Sequence, residues 1–406
     1  MIIGNAVLAQ GKLSGVVLDS VTRQPLPFAS VFLANTTFGA TTTEQGQFMF
    51  PNVPAGTYTV VGSYVGYRLA RQEVVVGAAP QQLTLQLGPS ANRLGEVVVR
   101  ADPNRLHNYR TFVDLFLGRT SFSRACRIRN PDDVLIDFDV DKNTLTASAA
   151  KFLQVDNQAL GYRIKYFGLR FSCNFTEQVL LFYGEPVFEE MTPRNKGQQR
   201  RWVANREQAY WGSLTHFLKS VYDNQVAANG FLVQHLRMVP NPNFGRVDSL
   251  KRALVKKRYL QEMPTAERDS LDRWRQVPRT FSILYTPARP IDSLRRLSGD
   301  GRTFLRFTDY LQVTYLRERP DPEYLRILAA RPATDGLAVD MRALEKRQIS
   351  RLSLRMPENE IQPNGHLVDP LAVFTDEYWG FEKMGEFLPL NYQPPTTGPS
   401  PQPPTQ

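Results

Sequence analysis

The chain has 406 residues, 42% of them hydrophobic and 22% charged, which suffices for two domains and an ordinary core. Its formal charge of +10 raises nucleic acid as a partner. The basic side chains are spread, however, and Arg163, Lys165 and Arg170 are interleaved with apolar residues as on a solvated strand face, so no nucleic-acid partner is expected. The denser runs Arg194 to Arg206 and Arg246 to Arg258 read as solvated surface, with phosphate or anionic lipid headgroups as the lesser reading. No run approaches the roughly 18–20 apolar residues of a membrane-crossing helix.

The N-terminal "MIIGNAVLAQG" is apolar from Ile2 to Ala9; residues 1–10 are read as the tail of an export signal peptide whose start lies upstream of Met1. From Lys12 to Ala101 short β-rich runs are split by turn residues, the spacing of an all-β sandwich of about seven strands over residues 11–101. In "QGQFMFPNVPAGTYTV", Phe48 and Phe50 share one face, and Pro51 and Pro54, lacking an amide donor, are expected to end the ladder. Gly56 then turns the chain into a strand whose Tyr58 and Val60 face the core.

The segment Gly15 to Tyr67, with "SGVVLD", "PLPFASV", "TEQGQF" and "VPAGTYTV" in order, resembles the carboxypeptidase-regulatory-like (peptidase-associated) domain, a prealbumin-like sandwich. The resemblance implies a non-catalytic accessory module of the kind found in zinc carboxypeptidases and at the N-termini of importers and other exported proteins of Gram-negative envelopes. "LGEVVVRA" is similar to the segment that follows the domain in those importers. Neither usual companion is expected here. None of the four histidines, His107, His216, His235 and His366, begins a His-x-x-Glu, so a zinc carboxypeptidase site is not expected. The residues after the module are too few for a plug and a 22-stranded barrel.

A linker is expected at 102–110, then an α+β domain over 111–392. "VLIDFDVD" and "TLTASA" form a hairpin, and the change of parity at Phe167-Gly168 in "YRIKYFGLRFSCNF" marks a β-bulge. The periodicity predicts a helix from Arg206 to about Ala228, with Asn205 as N-cap, Asn229-Gly230 as stop and Tyr210, Leu214, Phe217, Leu218 and Val221 as its buried stripe. Surface helices are expected in "SLKRALVKKRYL" and "AERDSLDRW", strands in "RTFLRFTDYLQVTYL" and "SRLSLRM", and a final amphipathic helix in "DEYWGFEKMGEFLPLNY". Residues 393–406 are Pro-rich and expected to be disordered. Two phrases of this region, around Trp211 and Trp379, are similar to segments of uncharacterised exported proteins bearing the same module. Cys126 and Cys173 are left open between a disulfide and two buried thiols.

Asp137, Asp139 and Asp141 have the opening spacing of a calcium loop, but Lys142 and Ser148 stand where Gly and a bidentate Glu belong. They read as the wet face of a strand. Ser213 and His216 are one helical turn apart without a Gly-x-Ser-x-Gly elbow, and no catalytic residue, cofactor or metal is expected. The paired aromatics Tyr210-Trp211 and Tyr378-Trp379, with Arg200 and Arg201 as a polar rim, are the candidate interaction surface. The expectation is therefore a non-catalytic exported protein, periplasmic or outer-membrane associated, binding an envelope protein or a glycan. The alternatives are a hydrolase of unfamiliar type using Ser213, His216 and the Asp137–Asp141 acids, and an outer-membrane transport-associated component.

Overall fold

The computed structural model describes residues 10–90, 104–246, 249–250, 266, 269, 277, 280–330 and 345–395. Seven strands come first: β1 (Gln10–Asp19), β2 (Ser30–Leu33), β3 (Gly39–Thr41), β4 (Gln47–Pro54), β5 (Gly56–Ser63), β6 (Ala70–Val76) and β7 (Gln81–Leu87). They form two sheets, ordered β4-β1-β7 and β3-β2-β5-β6. Period-2 alternation turns Leu13, Val17, Phe48, Phe50, Tyr58 and Val60 into one core between the sheets. The expected sandwich is thus present, with one correction. Pro51 does not end the β4 ladder, because a bulge opposite Lys12 absorbs it and pairing continues to Pro54.

A helix, α1 (Arg105–Leu117), precedes six strands: β8 (Cys126–Ile128), β9 (Val134–Asp139), β10 (Thr144–Ala149), β11 (Phe152–Asn157), β12 (Tyr162–Asn174) and β13 (Val179–Glu190). The long β12 is the spine of their sheet, paired with β13 along one side and with β11 and then β10 along the other. The register shift between Phe167 and Arg170 is the expected bulge. It keeps Ile164, Tyr166, Leu169, Phe171 and Cys173 on one core with Phe112 and Phe116 of α1 despite the change of parity. Cys126 and Cys173 are both free, buried thiols.

The next helix, α2 (Lys196–Tyr210), stops at Tyr210, and α3 (Leu214–Tyr222) starts afresh. This corrects the single helix expected over 206–228. Gly212 at φ +80° leaves the right-handed helical region, and Ser213, not Asn205, caps α3 by accepting the His216 N–H at 3.2 Å. Asn205 lies inside α2, where its Nδ2 donates to the Ala159 carbonyl at 2.7 Å.

Strands β14 (Phe231–Pro240), β15 (Thr280–Ala288), β16 (Arg295–Leu297), β17 (Thr303–Leu305) and β18 (Tyr310–Tyr315) follow, then α4 (Pro322–Ala330), β19 (Gln348–Leu354), β20 (Asn359–Ile361), β21 (Val373–Glu377) and a single-turn α5 (Tyr378–Phe381). Their sheets are ordered β15-β14-β18-β19-β21 and β16-β17-β20. The strands expected in 302–316 and 350–356 are among them. The final helix expected over 376–388 is not formed. Val373 to Glu377 pair with β19, and the 3-10 turn Met384–Glu386 follows α5. The helices expected in 249–260 and 266–274 fall almost wholly outside the described residues, as do residues 1–9 and 396–406.

By packing, the chain divides into two compact units, one drawn from Met1–Tyr210, Gln362–Asn364 and Glu382–Thr396, the other from Trp211–Ile361 and Gly365–Phe381. The expected linker is corrected accordingly. Residues 102–103 lie outside the described residues, Arg105–Arg110 are already helical, and the sandwich shares its unit with the sheet that follows. Phe32, Ala34 and Val61, on the outer side of β2 and β5, pack with Phe167 and Val187, and the Phe32 and Phe167 rings stack at 4.7 Å. Main-chain bonds from Asn35 N to Pro186 O (2.6 Å) and from Phe188 N to Thr36 O (2.9 Å) extend the contact.

The returning segment Glu382–Thr396 closes the first unit. Met384 is fully buried in the core beneath α1, Asn157 Nδ2 donates to the Gly385 carbonyl at 2.9 Å, and Leu390 N donates to Asn35 O at 2.7 Å. Asn391 binds the β2–β3 turn twice, accepting from Thr37 N at 3.0 Å and donating to Thr37 Oγ1 at 2.6 Å.

Candidate functional site

Of the four rings of the aromatic surface expected from the sequence, three are buried. Trp379 is 5% exposed; its Nε1 donates to the Gly212 carbonyl at 2.8 Å and its ring packs 5.4 Å from Phe217. Tyr378 stands edge-on to Tyr324 at 5.2 Å. Tyr210 is buried in the first unit beside Tyr392, whereas the half-buried Trp211 belongs to the second and meets the edge of the His216 ring at 4.7 Å. Arg200 and Arg201 are exposed on α2. Burial of Tyr210, Tyr378 and Trp379 takes three of the four rings out of the expected surface.

The basic run around Arg200 also hides a buried aromatic that sequence reasoning missed. Trp202 donates Nε1–H to the Gln158 carbonyl at 2.8 Å and fills the space over Gly161, where a Cβ would lie 2.3 Å from the indole. Arg206, in the same run, donates to the Leu160 carbonyl at 2.7 Å and lies 3.9 Å over the Tyr162 ring. The run thus anchors α2 as well as meeting solvent. The one signal was the isolated Trp among charged residues, since an indole seldom stands fully in water.

Ser213 and His216 do not form a nucleophile and base. The hydroxyl of Ser213 is occupied with the main-chain N–H of His216, not with its ring. The ring Nδ1 accepts from Gly212 N at 3.1 Å, and burial pushes its pKa down to about 3, which removes its basicity. The Asp137–Asp141 acids belong to the other unit. Asp139 accepts from the Lys142 N–H and pairs with its ammonium at 3.0 Å; the main-chain bond foremost holds its carboxyl below the usual range. Among the described residues no group of three or more His, Cys, Asp or Glu is placed to hold a metal ion.

What the first unit does present is the outer face of its six-stranded sheet. Directly opposed residues share a face, so the register sets Leu135, Ser148, Arg170 and Tyr183 in one row across β9, β10, β12 and β13. Asp137, Thr146, Ser172 and Leu181 form the next row. Closer to the sandwich the same face is covered by the Phe32–Phe167 contact. Beyond the bulge it is open, and these rows line a cavity of about 420 Å³, within the range of small-ligand sites. Leu135, Leu181 and Tyr183 are 50%, 44% and 48% exposed, so the hollow has an apolar margin and a floor of hydroxyls, with one guanidinium and one carboxylate. That arrangement can stack a ring on Tyr183 while hydrogen-bonding its substituents.

The β4-β1-β7 and β3-β2-β5-β6 sheets make the N-terminal part a prealbumin-like sandwich, followed by a mixed α+β region. Residues 13–99 match the family described as CarboxypepD_reg-like domain, so the module read from the sequence is present. No curated protein matches the chain. Among solved structures, the pilus 2b backbone protein of group B streptococcus is similar at 19% identity and a TM-score of 0.18, over 20% of this chain and 42% of that one. The shaft pilin SpaA of Lactobacillus rhamnosus GG gives 14%, 0.18, 20% and 46% in the same order. For the 5-hydroxyisourate hydrolase of Klebsiella pneumoniae the values are 24%, 0.18, 20% and 91%. The chain thus spans less than half the length of those two pilus proteins.

Proposed function

We propose that the protein is an exported, non-catalytic component of the cell envelope, periplasmic or outer-membrane associated, that holds a glycan on the open face of its six-stranded sheet. The sandwich serves as the accessory module that braces this sheet, through the Phe32–Phe167 stack. The observation that carries the reading is the exposed Tyr183 ring in one row with Arg170 and Ser148 beside a hollow of about 420 Å³. Carbohydrates present apolar ring faces and a rim of hydroxyls, which a half-exposed aromatic with Ser, Thr and Asp neighbours complements. The test is titration of the full chain with soluble envelope oligosaccharides by calorimetry. Tyr183→Ala should abolish binding with an unchanged melting temperature. Equal affinity of wild type and variant would remove this face from consideration. Fractionation of cells producing the full-length protein should place it outside the cytoplasm, and a cytosolic pool alone would sink the export reading.

A further inference from the structure

We infer that the ligand held on this face is an acidic oligosaccharide, one whose sugar carboxylate is taken by Arg170; the inference rests on the glycan reading above. The three cations of β12 are not equivalent. Arg163 pairs with Asp156 at 2.9 Å and Lys165 with Glu189 at 2.6 Å, each a neighbour on an adjoining strand. At the edge of the sandwich, Arg71 is similarly taken by Glu185 at 3.0 Å. Arg170 alone of the β12 cations has no carboxylate among the described residues. Across the strands it faces Ser148 on one side and Tyr183 on the other.

An exposed guanidinium left without an acid, with an aromatic ring beside it and hydroxyls around it, is complementary to a planar carboxylate carried on a ring. Its rigid fork donates to both oxygens at once, and the Tyr183 ring takes the face of the sugar that bears them. Among the described residues, the one acid lining the hollow is Asp137, two strands and one row from Arg170. Sheet spacings put the two positions on the order of 12 Å apart, too far to neutralise each other. Asp137 is then placed to accept hydroxyl hydrogens from a further sugar unit. The formal charge of +10 draws a polyanionic chain toward the molecule in a salt-dependent way.

The experiment titrates the full chain with tetragalacturonic acid and, separately, with its fully methyl-esterified form, which keeps the sugar backbone and removes the charge. Wild type should bind the acid at least tenfold more tightly than the ester, with the preference shrinking as salt is raised. Arg170→Gln should abolish the preference with the melting temperature unchanged, and Arg170→Lys should restore part of it. Equal binding of the two forms by wild type, or a preference that survives Arg170→Gln, would overturn the carboxylate inference and leave the glycan reading standing. Binding of neither oligosaccharide alongside binding of an acidic peptide would overturn both.

Discussion

Met384 offers the sharpest test of how the first unit is held together. It comes from the segment that returns after the second unit, yet it is fully buried among Phe112, Phe116 and their neighbours. Met384→Ala removes three side-chain heavy atoms; at about 0.8 kcal/mol for each methylene-sized group this is about 2.4 kcal/mol of lost transfer free energy. Incomplete collapse of the cavity raises the expected loss to about 3 kcal/mol, inside the 2–5 kcal/mol span of such substitutions. For a unit of this size that corresponds to a fall in melting temperature of roughly 6–12 °C. Urea unfolding of the full chain, followed by hydrogen exchange in β12, would measure it. Met49→Ala is the control, since Met49 is 52% exposed and its truncation should change stability by no more than about 0.5 kcal/mol. A loss below about 1 kcal/mol at Met384 would refute the claim that the returning segment is part of this core.

Gly161→Ala should destabilise the first unit by more than about 2 kcal/mol: Gly161 has φ +71°, and the added Cβ would meet the Trp202 indole at 2.3 Å; an unchanged denaturation midpoint would contradict this. In the second unit, burial pushes the Glu318 carboxyl up to about 8, against a weaker opposing hydrogen bond from Gln348. Between about pH 4.5 and 8 the folded state therefore keeps a proton that the unfolded chain has lost, and stability falls as pH rises. His216, pushed down to about 3, acts oppositely, since between about pH 3 and 6.5 the unfolded chain binds a proton the fold refuses, so stability falls as pH drops. Glu318→Gln should flatten the decline above pH 6.5, and parallel wild-type and variant profiles would exclude Glu318 as its source. Ser213→Ala should lower stability by about 1 kcal/mol through loss of the α3 cap, and a fluorophosphonate probe should label wild type and variant equally little; selective labelling of Ser213 would restore the hydrolase alternative.

The sandwich was legible because its apolar residues alternate strictly and its turns carry Pro and Gly, so Phe48, Phe50, Tyr58 and Val60 could be assigned to the core from sequence. The bulge at Phe167 was legible for the same reason, since a change of parity has few other causes. The break between α2 and α3 was hidden because Trp211-Gly212-Ser213 interrupts an apolar repeat that resumes in phase. Only the positive φ of Gly212 reveals two helices. Tyr378 to Tyr392 misled because its large side chains serve both units, Trp379 one core and Met384 the other, so their spacing was never that of one helical stripe. The open sheet face escaped because "VLLFY" in β13 is apolar at both parities. Nothing in that run says that Leu180 and Phe182 pack inward while Leu181 and Tyr183 stand in water. Arg170 was visible only as one of three alternating cations, and the carboxylates that take Arg163 and Lys165 are fixed by pairing register, which periodicity does not supply.

The return of Glu382–Thr396 to the first unit sets a timetable for synthesis. The polypeptide up to Tyr210 emerges long before Glu382, and at ribosomal speeds of ~5–20 residues per second the interval is roughly 10–30 s. During it the pocket for Met384 is empty and Thr37 lacks Asn391, and by its end the described residues of the second unit, Trp211–Ile361 and Gly365–Phe381, have all been made. The part of the molecule made first is therefore the part finished last, and a ribosome that stops between Phe381 and Glu382 releases an unsealed first unit.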